Sequence, residues 1–426
     1  MKFPEENLLA AAAQTDSFFI TKPGALLKAD RYKIIRKLGR GRFSNMFLVE
    51  DLQSTDLSFK YLAAKMLSID STFVLRHGVI HELNFLQAVV EYSHGWQEPF
   101  LPILHDHFAQ RGPHGVHYCL ITRPHRSDVN GFHASAPTGR LAVHIVKPII
   151  ANVVDALKVL HACHIIHANV KADNVLFVGP DTAEIEEAIA NEPPRIEGSF
   201  EFEGKEYPIL RSQPFEPKIS WDASPFIAET IMVLLSDLGA GTSSSRPKPP
   251  GDIGAFALRA PENIICAEIG KEIDVWALGC MAYELLAGEV LFRPQPIKGL
   301  TADESLLLLQ ITLTGETLDK TLVEQSQAKE QYFDAEGGRA VLIFFTPDDA
   351  QMRHGSRQLR ETQDARHWID AAAGFIQDCL RLNPSDRPTA DQLELHRWLE
   401  TAFMGGDDEE RPVSTVPIPP LPQPTL

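Results

Sequence analysis

Hydrophobic positions fall into a clear pattern from Tyr32 onward. Residues 32–38 are an apolar and basic run that predicts a strand. The segment Gly39-Arg40-Gly41-Arg42-Phe43-Ser44 predicts a tight loop, and residues 45–49 and 61–67 predict two further strands. Residues 79–90 have helical spacing, with Leu83, Leu86, Gln87 and Val90 stacking on one side. Residues 101–108 and 116–122 predict two more strands. After Gly131 the pattern turns helical, and 141–161 is long and apolar enough for a buried helix. Ile165-Ile166 and Val175-Leu176-Phe177 then bracket a polar loop. Residues 179–230 are acidic and Pro-containing and read as an insertion. An apolar run at 231–235 leads into Ser236-Asp237-Leu238-Gly239, and 242–254 is a Ser/Pro/Gly-rich stretch expected to be mobile. Helical patterns resume at 274–287 and end near Trp398. Residues 1–31 are expected to be a tether adding a little packing at its end. Residues 400–426, acidic and then Pro-rich, are expected to be a disordered tail. The expected architecture is α+β, with a strand-rich N-lobe (32–125) ahead of a helical C-lobe (126–399).

Composition narrows the function. A formal charge of −17 argues against nucleic-acid binding, which needs basic patches to neutralise phosphates. The 5 cysteines are scattered with no C-x-x-C spacing, which argues for a reducing compartment and against a zinc site. The apolar run Leu8 to Ala13 is too short for a signal peptide, and no stretch approaches a membrane span. A soluble intracellular monomer, cytoplasmic or nuclear, is the expectation.

The chemistry lies at a few positions. Gly39-x-Gly41-x-x-Ser44 between strands can offer backbone N–H groups to phosphates, although glycines there usually only turn a hairpin. Its strand–loop–strand setting argues against a dinucleotide fingerprint, which needs a helix after the loop. Lys65 sits on an apolar strand, and Glu82, on the helical stretch, can neutralise it and hold it extended toward phosphate. Asp237 follows five apolar residues and precedes Leu238-Gly239, where a carboxylate meets a hinge or an ordinary turn.

The loop His167-Ala168-Asn169-Val170-Lys171-Ala172-Asp173-Asn174 resembles the catalytic loop of protein kinases, H-R-D-x-K-x-x-N. Ala260-Pro261-Glu262, Asp274-Val275-Trp276 and Arg387 add the large-lobe signature of that superfamily. The resemblance runs from about Tyr32 to Leu399. Within the superfamily the chain is most similar to the SR-protein kinases, which phosphorylate arginine/serine-rich splicing factors. Four features carry this: Gly41-Arg42-Phe43-Ser44, Asp237-Leu238-Gly239, Tyr332-Phe333-Asp334-Ala335-Glu336-Gly337, and the placement of the insertion. The resemblance implies a bilobal protein-kinase fold that binds ATP and Mg2+. Gly39, Arg40, Gly41, Ser44 and Met46 would line the nucleotide. Lys65 would bind phosphate with Glu82 as its partner, and Asn174 and Asp237 would hold magnesium. Adenine would lie between Ala63 and Leu176 with Thr122 behind, its edge meeting the Arg123 carbonyl and the His125 N–H. Leu86, Leu104, His167 and Leu238 would form an apolar column aligning the lobes, and Glu262 would pair with Arg387.

The phosphoacceptor side departs from the pattern. Ala168 replaces the family's Arg and Asn169 its catalytic Asp. Ala255 stands where serine/threonine kinases usually carry a Thr bonded to that Asp and the loop Lys, here Lys171. An amide can orient a hydroxyl but cannot take its proton. Two functions are expected to compete. One is weak phosphoryl transfer to Ser in basic Arg/Ser-containing proteins, with Lys171 screening the moving phosphate. The other is a pseudokinase that holds ATP and acts as a scaffold or allosteric partner.

Overall fold

The computed structural model describes residues 18–93, 100–244, 254–294, 299–332 and 366–400. A 6-stranded antiparallel sheet has the order β1-β2-β3-β4-β6-β5. Its strands are β1 (Leu26–Leu27), β2 (Tyr32–Arg40), β3 (Ser44–Asp51), β4 (Tyr61–Leu67), β5 (Asp106–Arg111) and β6 (Val116–Thr122). Period-2 alternation sends Phe47, Val49, Leu62, Ala64 and Met66 into one buried layer, and Leu48, Tyr61 and Ala63 into another. Helices α1 (Ile69–Arg76) and α2 (Glu82–Ser93) follow β4, and Ser68 caps α1 by accepting from Ser71 N.

Past the sheet come α3 (Val129–Ser135) and α4 (Val143–Ala162), whose Ile145, Val146, Ile149, Ile150, Val153 and Val154 are fully buried. Short strands β7 (Ile165–Ile166) and β8 (Val175–Phe177) bracket the polar loop. The insertion is folded: helix α5 (Thr182–Asn191), hairpin strands β9 (Ile196–Phe202) and β10 (Lys205–Leu210), and helix α6 (Pro225–Ala228). Strand β11 (Val233–Leu235) pairs with β8, and β12 (Thr242–Ser243) with β7. Beyond these lie α7 (Pro261–Ile264), α8 (Glu272–Ala287), α9 (Ala302–Thr314), α10 (Lys320–Gln325), α11 (Lys329–Tyr332), α12 (Arg366–Cys379) and α13 (Ala390–Glu394). Among the described residues no helix is long and apolar enough to cross a membrane.

Several elements differ from the sequence expectation. Helix α2 starts at Glu82 and buries Glu82, Phe85, Leu86 and Val89, while Val90 is 37% exposed. The face is rotated because a carboxylate, drawn inward by Lys65, belongs to it. The strand expected over 101–108 begins only at Asp106. Leu101 packs into the core and Pro102 has no N–H to donate to a ladder. The tether over 1–31 is, from Phe18, part of the packed structure: Phe18, Phe19, Ile20 and Leu27 are buried, and β1 pairs with β2. The tail beyond 400, most of 242–254, and 333–337 of the Tyr332 motif lie outside the described residues.

Candidate active site

One buried carboxylate shapes the polar loop. Asp274, at the start of α8, is 1% exposed. It accepts from His167 N at 2.8 Å, Ala168 N at 2.7 Å and His161 Nε2 at 3.0 Å. These bonds hold Ala168 at φ +62, a left-handed conformation costly for a non-glycine residue unless its surroundings over-determine it. His167 is fully buried and its Nε2 meets Ser236 O at 3.0 Å. Burial holds its imidazole below the usual histidine range. Asn174 Nδ2 donates to Asn169 O at 2.9 Å, while Ser236 N donates to Asn174 O at 2.7 Å. The loop and the segment leading to Asp237 are therefore laced together whatever side chain stands at 169.

Above the loop, Lys65 Nζ is 2.5 Å from Glu82 Oε1 and 3.1 Å from Asp237 Oδ1. Burial works against the Lys65 charge, but the two carboxylates outweigh it and raise the pKa. The Lys65 ammonium in turn holds Asp237 below the usual carboxylate range. Asp237 takes a left-handed conformation at φ +66, and Leu238 behind it is buried in one core with Leu86, against which Leu104 packs. As the expected metal ligands, Asn174 and Asp237 would supply one amide oxygen and one carboxylate. Such hard oxygen donors suit Mg2+ held jointly with substrate phosphates rather than by an all-protein cage. No cluster of three or more His, Cys, Asp or Glu able to hold a metal occurs among the described residues.

The edge of the cleft is built by β6 and the segment after it. Ala63 pairs with Thr122 and Met46 with Lys65, placing these expected contacts on adjacent strands. Thr122 Oγ1 donates to Arg123 O at 3.2 Å. The His125 ring has no hydrogen-bond partner among the described residues, and burial, then Arg123, lowers its pKa to about 4. Leu176 bridges Asp128 on the opposite side. At the hairpin tip Gly41 N donates to Ser44 O at 2.8 Å, and Gly39 pairs with Met46. The Arg40 guanidinium lies 4.6 Å over the Phe18 ring, so its charge is engaged by the N-terminal segment.

The floor is different. Asn169, Ala168, Gly254, Ala255, Ala260 and Asn263 line a small cleft with little charge. Lys171 Nζ lies 3.6 Å from Asp173 Oδ2, and Asp173 Oδ1 accepts from Asn130 at 2.9 Å. Beneath, Arg387 donates to both Glu262 oxygens at 2.6 and 2.8 Å with neither side chain exposed, and stacks 5.0 Å over Trp276. Sequence reading paired Glu262 with Arg387 but missed Asp274 as the organiser of the loop. It also missed the insertion's contacts with the cleft. At Gly179 an added Cβ would lie 1.8 Å from the Pro124 oxygen, so only glycine lets the insertion leave against this segment.

A model of the protein kinase domain matches residues 226–399. The match covers Asp237, Glu262, Asp274 and Arg387 and begins after Lys65 and the loop at 167–174. The chain is 25% identical over 391 residues to the serine/threonine-protein kinase SRPK of Physarum polycephalum, covering 88% of this chain and 87% of that protein. It is 25% identical over 400 residues to a serine/threonine protein kinase of Aspergillus fumigatus, covering 94% and 91%. A crystal structure of a kinase domain superposes with a TM-score of 0.59 at 18% identity, covering 90% of this chain and 99% of that one. The fold is thus the bilobal protein-kinase fold, with a β-rich N-terminal part and a helical C-terminal part. Within that class the chain resembles serine/threonine kinases, with the SR-protein kinases among its relatives.

Proposed function

We propose that this protein binds Mg-ATP and transfers its terminal phosphoryl group weakly to serine in basic, Arg/Ser-containing proteins. The observation that carries the reading is the triad Lys65, Glu82 and Asp237, drawn together from β4, α2 and the segment after β11. Lys65 would bind phosphate oxygens, and Asn174 and Asp237 would hold Mg2+, which when bound neutralises charge on the phosphates. In the transfer the serine Oγ–P bond forms and the bond to the departing ADP oxygen breaks. The hydroxyl proton must go to water, because Asn169 cannot accept it. Phosphoryl transfer proceeds mainly by positioning and charge stabilisation. Losing the base costs roughly 10²–10⁴-fold rather than everything. The net charge of −17 suits a basic partner.

A second reading, an ATP-holding pseudokinase that acts as scaffold or allosteric partner, is favoured by Asn169 and Ala255 lining one cleft. Two of the three members of the expected hydrogen-bonding network are changed there, while Lys171 is kept. Transfer of labelled γ-phosphate to an Arg/Ser peptide, beside Asn169→Asp, separates the two. Weak transfer that rises in the variant supports the kinase, and none in either form supports the scaffold.

A further inference from the structure

The insertion closes on the slot assigned above to adenine. Helix α5 and the strand-like segment 213–216 contribute Ile185 and Phe215, exposed only 2% and 7%, to one buried cluster with Leu38, Leu48, Tyr61 and Ala63. Met46 packs on the same cluster. Ala63 is the side chain expected above the purine, and Met46 is among those expected to line the nucleotide. Ala63 is 3% exposed.

Segment 213–216 is bonded to the sheet and to the hinge segment. Gln213 N donates to Lys37 O at 2.9 Å on β2, just ahead of the Gly39 hairpin. Ser127 N, two residues past His125, donates to Phe215 O at 2.8 Å. Ser127 Oγ and Arg126 Nη1 add bonds to Glu216 at 2.9 and 3.1 Å. Arg36, itself 1% exposed, lies 4.6 Å over the Phe215 ring and fixes it from above. Charged pairs anchor α5 to the same edge. Glu184 meets Arg126 at 2.9 Å and Glu186 meets Lys60 at 2.6 Å, while Lys218, within the insertion, pairs with Glu184 from its own side.

A strap tied to the sheet at one end and to the hinge at the other, with an aromatic ring among the roof residues, competes with any flat ring that needs the same surface. We propose that the insertion is an intramolecular cover of the nucleotide slot: Phe215 and Ile185 must withdraw from the Ala63 and Met46 roof before a purine enters. This rests on the nucleotide-site reading above and adds its regulation. Anything that draws the strap away, such as a partner engaging residues 179–230, would open the slot.

Mg-ATP titration of the full chain, by calorimetry, tests it with four forms: the native protein, Phe215→Ala, Glu184→Gln and Lys65→Ala. A closed cover lowers apparent affinity by the fraction of open molecules. Loosening it should therefore tighten binding by about fivefold or more in Phe215→Ala and by about twofold in Glu184→Gln, whose charge is partly screened. Lys65→Ala should lose binding. Hydrogen exchange in 182–191 and 213–216 should rise when Mg-ATP is added. Glu184→Gln changes a partly exposed side chain and keeps the idea testable if Phe215→Ala folds poorly. Equal or weaker binding by both variants would overturn the cover and leave the nucleotide site standing, with Phe215 a wall of that site. Added protection of the strap by Mg-ATP would overturn it as well. Absence of binding in every form would remove the nucleotide-site reading and the cover with it.

Discussion

The upper and lower walls of the cleft are held with equal care but equipped very differently. On the upper side, charge is concentrated: Lys65 bridges Glu82 and Asp237 within 3.1 Å, and each group's ionisation depends on the others. On the lower side, Lys171 and Asp173 pair with each other, and the remaining charged groups lie behind the loop. Asp274 faces the backbone of 167–168, and Arg387 is locked to Glu262, while Asn169, Ala168 and Ala255 line a small pocket without charged side chains. The backbone of the 167–174 loop is thus held by Asp274 from behind. Its side-chain chemistry can be removed without disturbing the frame, because Asp274 holds amides rather than the side chains at 168 and 169. A fold match alone could not distinguish the two walls.

The largest effect should come from the frame of the lower wall. Arg387→Ala would leave the fully buried Glu262 carboxylate without its partner, which typically costs about 3–5 kcal/mol. Urea unfolding measures it. A loss under 1 kcal/mol would mean that the lower frame does not depend on this pair.

Next comes the missing base. Asn169→Asp should raise phosphoryl transfer to a basic peptide by roughly 10²-fold or more. Adding Ala255→Thr should give more than the product of the single effects, since residues in one network are not additive. Initial rates of the two single variants and the double variant decide it. A native rate already ordinary for a kinase, changed less than threefold by Asn169→Asp, would show that the lower wall is not deficient.

The upper wall should show itself as ligand linkage. Mg-ATP at 100 times its Kd should stabilise the native protein by about 2.7 kcal/mol, seen as a rise in Tm. Lys65→Ala and Asp237→Ala should each abolish that rise. If the rise persisted in both, the triad would not be the nucleotide site.

How much of this the sequence revealed depended on whether the signal was local. Strand β4 with Lys65, the loop at 167–174 and Asp237 after an apolar run all declare themselves within about ten residues. The insertion also carried local signals that went unread. Asp181 and Glu184 form a capping box ahead of Ile185. Phe200 and Phe202 precede a two-residue Glu203-Gly204 turn at positive φ, and Tyr207 follows. An acidic composition masked both. Other features were unreadable in principle. Nothing local in Phe215 points to Ala63, more than a hundred positions away, and an inward Glu82 contradicts the polar-outside rule until Lys65 is placed beside it. Asp274 is a similar case, since its role lies in amides that a sequence does not show.

The smallest expected effect concerns how the insertion is fastened to the upper wall, and it depends on pH. Burial pushes the Glu184 carboxyl up, but Lys218, Arg126 and the Asp181 N–H outweigh it and bring its pKa down to about 2. A carboxyl whose folded pKa lies below its unfolded value stabilises the protein fully above the unfolded value, about 4.3. That stabilisation fades as pH falls toward about 2. The side chain is 22% exposed and its partner Lys218 is 68% exposed, so solvent screens most of the attraction. The contribution should be below about 1 kcal/mol. Glu184→Gln keeps the capping geometry and removes the charge. The native protein should therefore exceed the variant by a few tenths of a kcal/mol up to about 1 kcal/mol at pH 7. The gap should narrow steadily from about pH 4.5 to pH 3 as protons compete for the carboxylate. Urea melts of both forms at matched ionic strength give the difference. A gap that stayed constant across that range would mean that Glu184 acts by shape and not by charge, leaving the insertion fastened by its packing, its backbone hydrogen bonds and the Glu186–Lys60 pair.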